Sequence, residues 1–194
     1  MAQAAQSQEE INLKEKVNRN LLYIGIFSSL MLFAGLTSAY IVRQADGGWV
    51  EFNMPFIFWV STAIILVSSV SMNFALMAAK NDRPDKYKPA LMITFVLGLV
   101  FCATQIIGWG QLVDGGIYFT GRNANPSGSY FYILSGVHLA HIVSALIYLL
   151  VILFHAFKNK YTSKDYAGIR HSGIFWHFLD GVWVYVFIFL IFMQ

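Results

Sequence analysis

Five long segments almost free of charge constrain this chain more than anything else in it. They cover about 20–43, 52–79, 89–113, 130–157 and 173–193. A hydrocarbon layer about 30 Å thick is crossed by about 20 residues of helix, and each segment reaches that length. Inside lipid every backbone polar group must be satisfied internally, which leaves helices or closed barrels. The segments show no alternation of apolar and polar residues and exceed a barrel strand in length, so they predict helices. The fold class that follows is all-α, an integral membrane bundle of five transmembrane helices spanning 20–194, with a polar tail at 1–19. Only 12% of the residues are charged, against about 25% in soluble domains. The single cysteine, Cys102, excludes an intramolecular disulfide and a cysteine-rich metal cluster. The polar tail and the length of the first run argue against a cleavable signal peptide.

The connections punctuate the spans. Gly47-Gly48 marks a turn, Pro84 lies in the second connection, and Pro126 with Gly128 predicts that no helix starts before Tyr130. Of the 13 Lys and Arg residues, all but Arg43 and Arg122 fall in the tail, in 80–88 or in 158–170. That asymmetry places the N-terminus inside and the C-terminus outside. It also accounts for a pI near 9.0 without nucleic acid. No internal repeat is visible, and five spans do not divide into the two halves of an inverted-repeat transporter.

The polar residues inside the apolar runs are the candidate functional groups. Asp180 is the one acid deep within any span. A carboxylate at mid-helix costs roughly 2.5–3.5 kcal/mol on insertion scales, so it is expected to face protein rather than lipid. It is either a functional site or a buried anchor, with Ser144 and Tyr148 of the fourth span as expected hydrogen-bond partners. His177 stands three residues before it, and Trp176 and Trp183 flank it, giving the fifth span an aromatic and polar face. His138 and His141 share a face of the fourth span. Histidines at that spacing can ligate a metal, given further ligands on facing helices. The span limits set Asp180 about two turns of helix nearer the inner side than His141, and His155, His171 and His177 also lie inward. The histidines therefore predict interhelical hydrogen bonds, or contact with lipid headgroups or a partner subunit, and no metal site. In the third span Gln105, Gly108 and Gly110 permit close helix approach, and Gln105 also offers an amide. The small residues Gly25, Ser28, Ser29, Ala34, Gly35, Ser38 and Ala39 of the first span predict close helix approach. Trp49, Trp109, Tyr118 and Tyr130 suit the outer interfacial belt, and Tyr87 and Tyr161 the inner one. No nucleophile–base pair, phosphate loop or redox-cofactor ligand set is present, so no catalytic, cofactor-binding or metal residue is assigned.

Two stretches carry a family resemblance. The run from Tyr130 to Val143, with Ser135-Gly136-Val137-His138 and His141, resembles the aromatic–small–Gly–x–His–x–x–His segment of subunit III of haem–copper oxidases. Trp176-His177-Phe178-Leu179-Asp180 with Trp183 resembles that family's terminal Trp-His-Phe-x-Asp-x-x-Trp pattern. Met31 to Leu36 with Ser38-Ala39-Tyr40 matches its first conserved-type helix, so the resemblance extends over all five spans. It implies a non-catalytic core subunit of cytochrome c oxidase, packed against subunit I, which carries the haem and copper. Subunit II, a small subunit IV and a respiratory supercomplex are further implied partners. The resemblance also implies phospholipid held between helices, a role in oxygen delivery and proton uptake, and a bacterial inner membrane. The five spans correspond to the last five of a seven-helix form, whose missing pair an extended subunit I supplies in some short forms. Two departures limit the transfer: Ser29 and Gly108 stand where many relatives carry membrane acids, so proton roles resting on those acids do not carry over. The alternatives are a quinol oxidase subunit III, a nitric-oxide-reductase-associated homologue, and, from another class, a small membrane transporter or scaffold.

Overall fold

A computed structural model describes residues 2–45, 47–162 and 165–193. Within the first helix, the side chains described are those of Leu13 and of residues from Glu15 onward. Lys14 and Lys164, counted above among the basic residues, therefore lie outside the described side chains. Among the described residues five helices account for the architecture: α1 (Ala2–Gln44), α2 (Ile57–Lys80), α3 (Pro84–Asp114), α4 (Pro126–Phe157) and α5 (Ala167–Phe192). All five contain a stretch long and apolar enough to cross a membrane. The molecule is an all-α, multi-pass membrane bundle.

Several ends differ from the sequence expectation, each for a local reason. α4 starts at Pro126 rather than after it. Proline is compatible with the first turn, where its missing N–H has no partner to lose, and Asn125 caps that turn by accepting from the Gly128 amide at 2.7 Å. α5 starts at Ala167, six residues before the apolar run, because the basic segment Gly168–His171 extends the same helix. α2 starts at Ile57, so 52–56 approach it as non-helical chain. The Gly47-Gly48 pair has positive φ at both residues (82° and 69°), which only glycine adopts without strain.

Helices α2 to α5 form a closed four-helix core in which α2 meets α3 and α5, and α4 meets α3 and α5. α1 stands outside it and, of the other helices, meets only α4 and α5 among the described residues. Close approach inside the core is made by glycine. A Cβ on Gly98 would lie 2.6 Å from the Trp176 ring, one on Gly108 2.5 Å from Phe58, and one on Gly173 2.6 Å from Leu76. The glycines of α1 do nothing similar: a Cβ on Gly25 or Gly35 meets nothing within 4 Å. Ser28, Ala34, Ser38 and Ala39 are likewise exposed. The expectation of close packing through the small residues of the first span is thus corrected, and Ser29 alone of that set turns inward. Gly110, also expected to serve packing, faces open space.

Two buried rings, Phe33 and Tyr40, and a set of polar ties hold α1 instead. Glu15 pairs with Arg170 at the start of α5. At the opposite end the Tyr40 hydroxyl and Gln44 Nε2 both donate to the Met193 carbonyl at 3.1 Å. These two donors satisfy a carbonyl that the end of α5 leaves without a helical partner.

Candidate functional site

The inward face of α5 organises the core. Residues 176, 180, 183 and 187 recur at helical spacing and are all buried. Trp176 Nε1 donates to Ser68 Oγ at 3.0 Å, and Trp183 Nε1 donates to Thr62 Oγ1 at 3.0 Å. One turn along, Ser69 Oγ and His177 Nδ1 are 2.7 Å apart. Three α5 side chains are therefore held by α2 hydroxyls, and Gln105 of α3 donates through Nε2 to a fourth, Ser61 Oγ, at 2.9 Å. The α2 positions repeat seven residues apart (Ser61 and Ser68, Thr62 and Ser69), which brings each pair to one side of the helix.

Sequence reasoning missed these hydroxyls. Ser61, Thr62 and Ser68 each also donate to a carbonyl three or four residues earlier in α2. A hydroxyl satisfied within its own helix bears no mark of a partner elsewhere. The seven-residue repeat was the available signal.

Asp180 is 3% exposed and lies within the bundle, as its desolvation cost demands. The expected hydrogen bond to Ser144 or Tyr148 is not made. Neither carboxyl oxygen has a hydrogen-bond partner among the described residues. The Ser69 hydroxyl bears on the carboxyl but makes its close bond to His177. Ser144 is exposed and donates to the His141 carbonyl, and Tyr148 is 38% exposed.

The error lay in depth. Trp183 sits on His138 with ring centroids 5.1 Å apart, which fixes the antiparallel register of α4 and α5. Three residues back on α5 and three onward on α4 then set Asp180 level with His141, not two turns away. Both residues lie at the middle of their helices once α5 is begun at Ala167.

The two α4 histidines part company. His138 is fully buried in an aromatic cage of Trp183, Phe101 (6.0 Å) and Phe33 (6.1 Å). Neither of its ring nitrogens has a hydrogen-bond partner among the described residues. His141 bonds twice: Nδ1 lies 2.8 Å from the Val137 carbonyl, and Nε2 lies 3.2 Å from Ser29 Oγ on α1. A carbonyl only accepts, so Nδ1 carries the proton, and Nε2 competes with the Gly25 carbonyl, 2.9 Å from Ser29 Oγ, for the one hydroxyl proton of Ser29. Interhelical bonding thus holds for His141 and His177 and is corrected for His138, which makes ring contacts instead. Among the described residues no three His, Cys, Asp or Glu side chains converge on a point a metal ion could occupy. The face can align helices and hold a buried polar group in a fixed place.

At the ends of the spans, Tyr161 lies between α4 and α5, with its hydroxyl 2.7 Å from where a Gly168 Cβ would stand. Burial pushes its phenol up to about 12, with Tyr148, Asp165 and Tyr87 adding to the rise.

Comparison with known proteins gives one consistent result. The family described as "Cytochrome c oxidase subunit III" matches residues 15–194. A cytochrome c oxidase subunit 3 of Corynebacterium diphtheriae is 30% identical over 187 residues, covering 90% of this chain and 89% of that protein. A cytochrome bo(3) ubiquinol oxidase subunit 3 of Buchnera aphidicola is 29% identical over 189 residues, covering 91% and 95%. Another of that name, from Pseudomonas aeruginosa, is 29% identical over 170 residues, covering 85% and 79%.

Proposed function

Because the chain belongs to the cytochrome c oxidase subunit III family of haem–copper oxidases, we propose that it is the non-catalytic subunit III of a proton-pumping respiratory terminal oxidase that passes electrons from cytochrome c to oxygen. The observation that carries this reading is the use made of the terminal Trp-His-x-x-Asp-x-x-Trp pattern. Trp176, His177 and Trp183 bind neighbouring helices, and Asp180 is sealed among them, so the pattern serves to align helices. Such a chain braces a redox partner rather than performing redox chemistry itself.

The haem and copper belong, on this reading, to subunit I, the main contact, with subunit II and a small subunit IV beside it. The open face of α1, with Gly25, Gly35 and their exposed small neighbours, offers a neighbouring helix close approach. Bound phospholipid would occupy crevices beside α1. The Lys and Arg asymmetry supports an N-terminus on the inner side, and the oxidase reading a bacterial cytoplasmic membrane. A quinol oxidase subunit is the second reading, favoured by the two bo(3) relatives, which this chain matches over most of their length.

Gentle solubilisation followed by mass spectrometry, visible spectra and donor assays tests both. The expected result is co-purification with a haem-bearing partner and oxidation of reduced cytochrome c. Oxidation of quinol alone selects the second reading. Recovery of this chain alone, colourless and stable, overturns both.

A further inference from the structure

α1 is gripped along one half only. From Ser29 onward it buries a residue at every turn: Ser29, Phe33, Thr37 and Tyr40 are each 9% exposed or less. Phe33 lies against the rings of His138 and His141, and Tyr40 against those of Trp49, Tyr130 and Phe189. From Glu15 to Ser28, by contrast, no residue of α1 is buried. Among the described residues one polar tie joins that stretch to another helix, the Glu15–Arg170 pair at the basic end of the bundle. Its side chains are 42% and 40% exposed.

Where the two halves meet, the helix is built to bend. Glycine stiffens a helix less than any residue with a side chain. Gly25 has no atom within 4 Å of where a Cβ would stand, so no neighbour splints it. Ser29 Oγ donates to the Gly25 carbonyl at 2.9 Å. Such back-bonds to the carbonyl four residues earlier bend helices, and glycine beside serine is a common place for a kink. The free half also has room beside it. A crevice of about 450 Å³ lies between Asn18, Leu22 and Gly25 of α1, Tyr148 of α4, and His171 and Phe175 of α5.

We propose that the free half of α1 is a strap, hinged at Gly25–Ser29 and latched by Glu15–Arg170, which swings outward at the basic end when the ion pair breaks. Ten residues of helix from the hinge to Glu15 make an arm about 15 Å long. A bend of about 20°, the smallest that counts as a kink, carries the end of that arm about 5 Å. That displacement parts the ion pair and widens the crevice. It uncovers His171, which is 7% exposed in the latched form and whose Nε2 has no hydrogen-bond partner among the described residues. An exposed ion pair is weak and is screened by salt, so ionic strength sets the balance between latched and open forms. The strap belongs to the chain's own helices and does not depend on which oxidase the chain serves.

The test measures distances between pairs of spin labels in the intact complex, with Cys102→Ala as background. Val17→Cys with Lys160→Cys reports the free half, and Val42→Cys with Phe192→Cys reports the gripped half; all four positions are exposed. The first pair is expected to show a short and a long distance about 5 Å apart. Raising the salt from about 0.05 M to about 0.5 M should increase the long fraction by up to about fivefold. The second pair should keep one distance throughout. Glu15→Gln should show the high-salt distribution at low salt, and Glu15→Arg with Arg170→Glu should restore the latched one. Gly25→Ala stiffens the hinge at a position with room for a methyl group, and should lower the long fraction. One unchanging distance for the first pair, through high salt and Glu15→Gln, overturns the strap. Lengthening of both pairs together overturns it as well, because α1 would then tilt as one rod. An unchanged long fraction in Gly25→Ala overturns the hinge.

Discussion

The α2–α5 core and the α1 helix are built on opposite plans. In the core, glycines stand where a neighbour's ring leaves no room for a Cβ, and tryptophan N–H groups reach hydroxyls on facing helices. On α1 the glycines face outward. That helix is held by Glu15–Arg170 at one end, Ser29–His141 and Thr37–Tyr185 in the middle, and Tyr40 and Gln44 on the Met193 carbonyl at the other. Packing along the whole length fixes the core, whereas two buried rings, Phe33 and Tyr40, and a few polar ties fix α1. The same small residues mean close contact in one helix and an available surface in the other.

The contrast breaks most sharply at Trp183, which packs on His138 and Phe101 and donates to Thr62. Trp183→Ala should cost about 3–5 kcal/mol, seen as a large fall in the thermal midpoint of the detergent-solubilised protein. A change no larger than that of an exposed α1 substitution would mean that the register of α4 and α5 is set elsewhere. Gly108→Val should cost about 1–3 kcal/mol by overpacking, because the Phe58 ring it strikes is buried against Phe131. Gly35→Val should stay within about 0.5 kcal/mol in the isolated chain. Equal effects from the two valines would erase the distinction between core and strut.

A smaller effect is expected at Ser29. Ser29→Ala removes the tie to His141 and should cost about 0.6 kcal/mol, the average for an interhelical hydrogen bond in a membrane. Hydrogen exchange should localise the change to α1 and leave α2–α5 protected. Exchange rising throughout the core would show that α1 is not separable from it.

The smallest effect concerns pH. The Tyr161 phenol titrates near 12 in the fold, against 10.0 ordinarily, chiefly because it is buried. The fold favours the neutral phenol, so this stabilisation is full below about pH 10 and is lost as pH rises towards about 12. Thermal midpoints measured across that window should fall more for wild type than for Tyr161→Phe. Parallel curves would show that the phenol is not held by burial.

Much of this arrangement was legible before any coordinates. Five spans, the burial of Asp180 and the inward aromatic face of the fifth span follow from hydropathy, desolvation cost and helical spacing. The limits of α4 and α5 were less legible. Proline looks like a break in an apolar run yet is tolerated in a first helical turn, and the basic segment before the fifth run continues its helix. That error carried Asp180 to the wrong depth and gave it the wrong expected partners. The spacing of His138 and His141 put them on one face without saying which would be sealed among rings and which would reach Ser29.

The sequence by itself determined that this chain crosses a membrane five times and carries a buried acid between two tryptophans. A hydrocarbon solvent forces every apolar run of that length into a helix and every charge away from lipid. Only the tertiary structure decided which small residues are contacts, which hydroxyls receive the tryptophans, and where α1 stays open. Those outcomes depend on the rotation and register of one helix against another, and a sequence records neither.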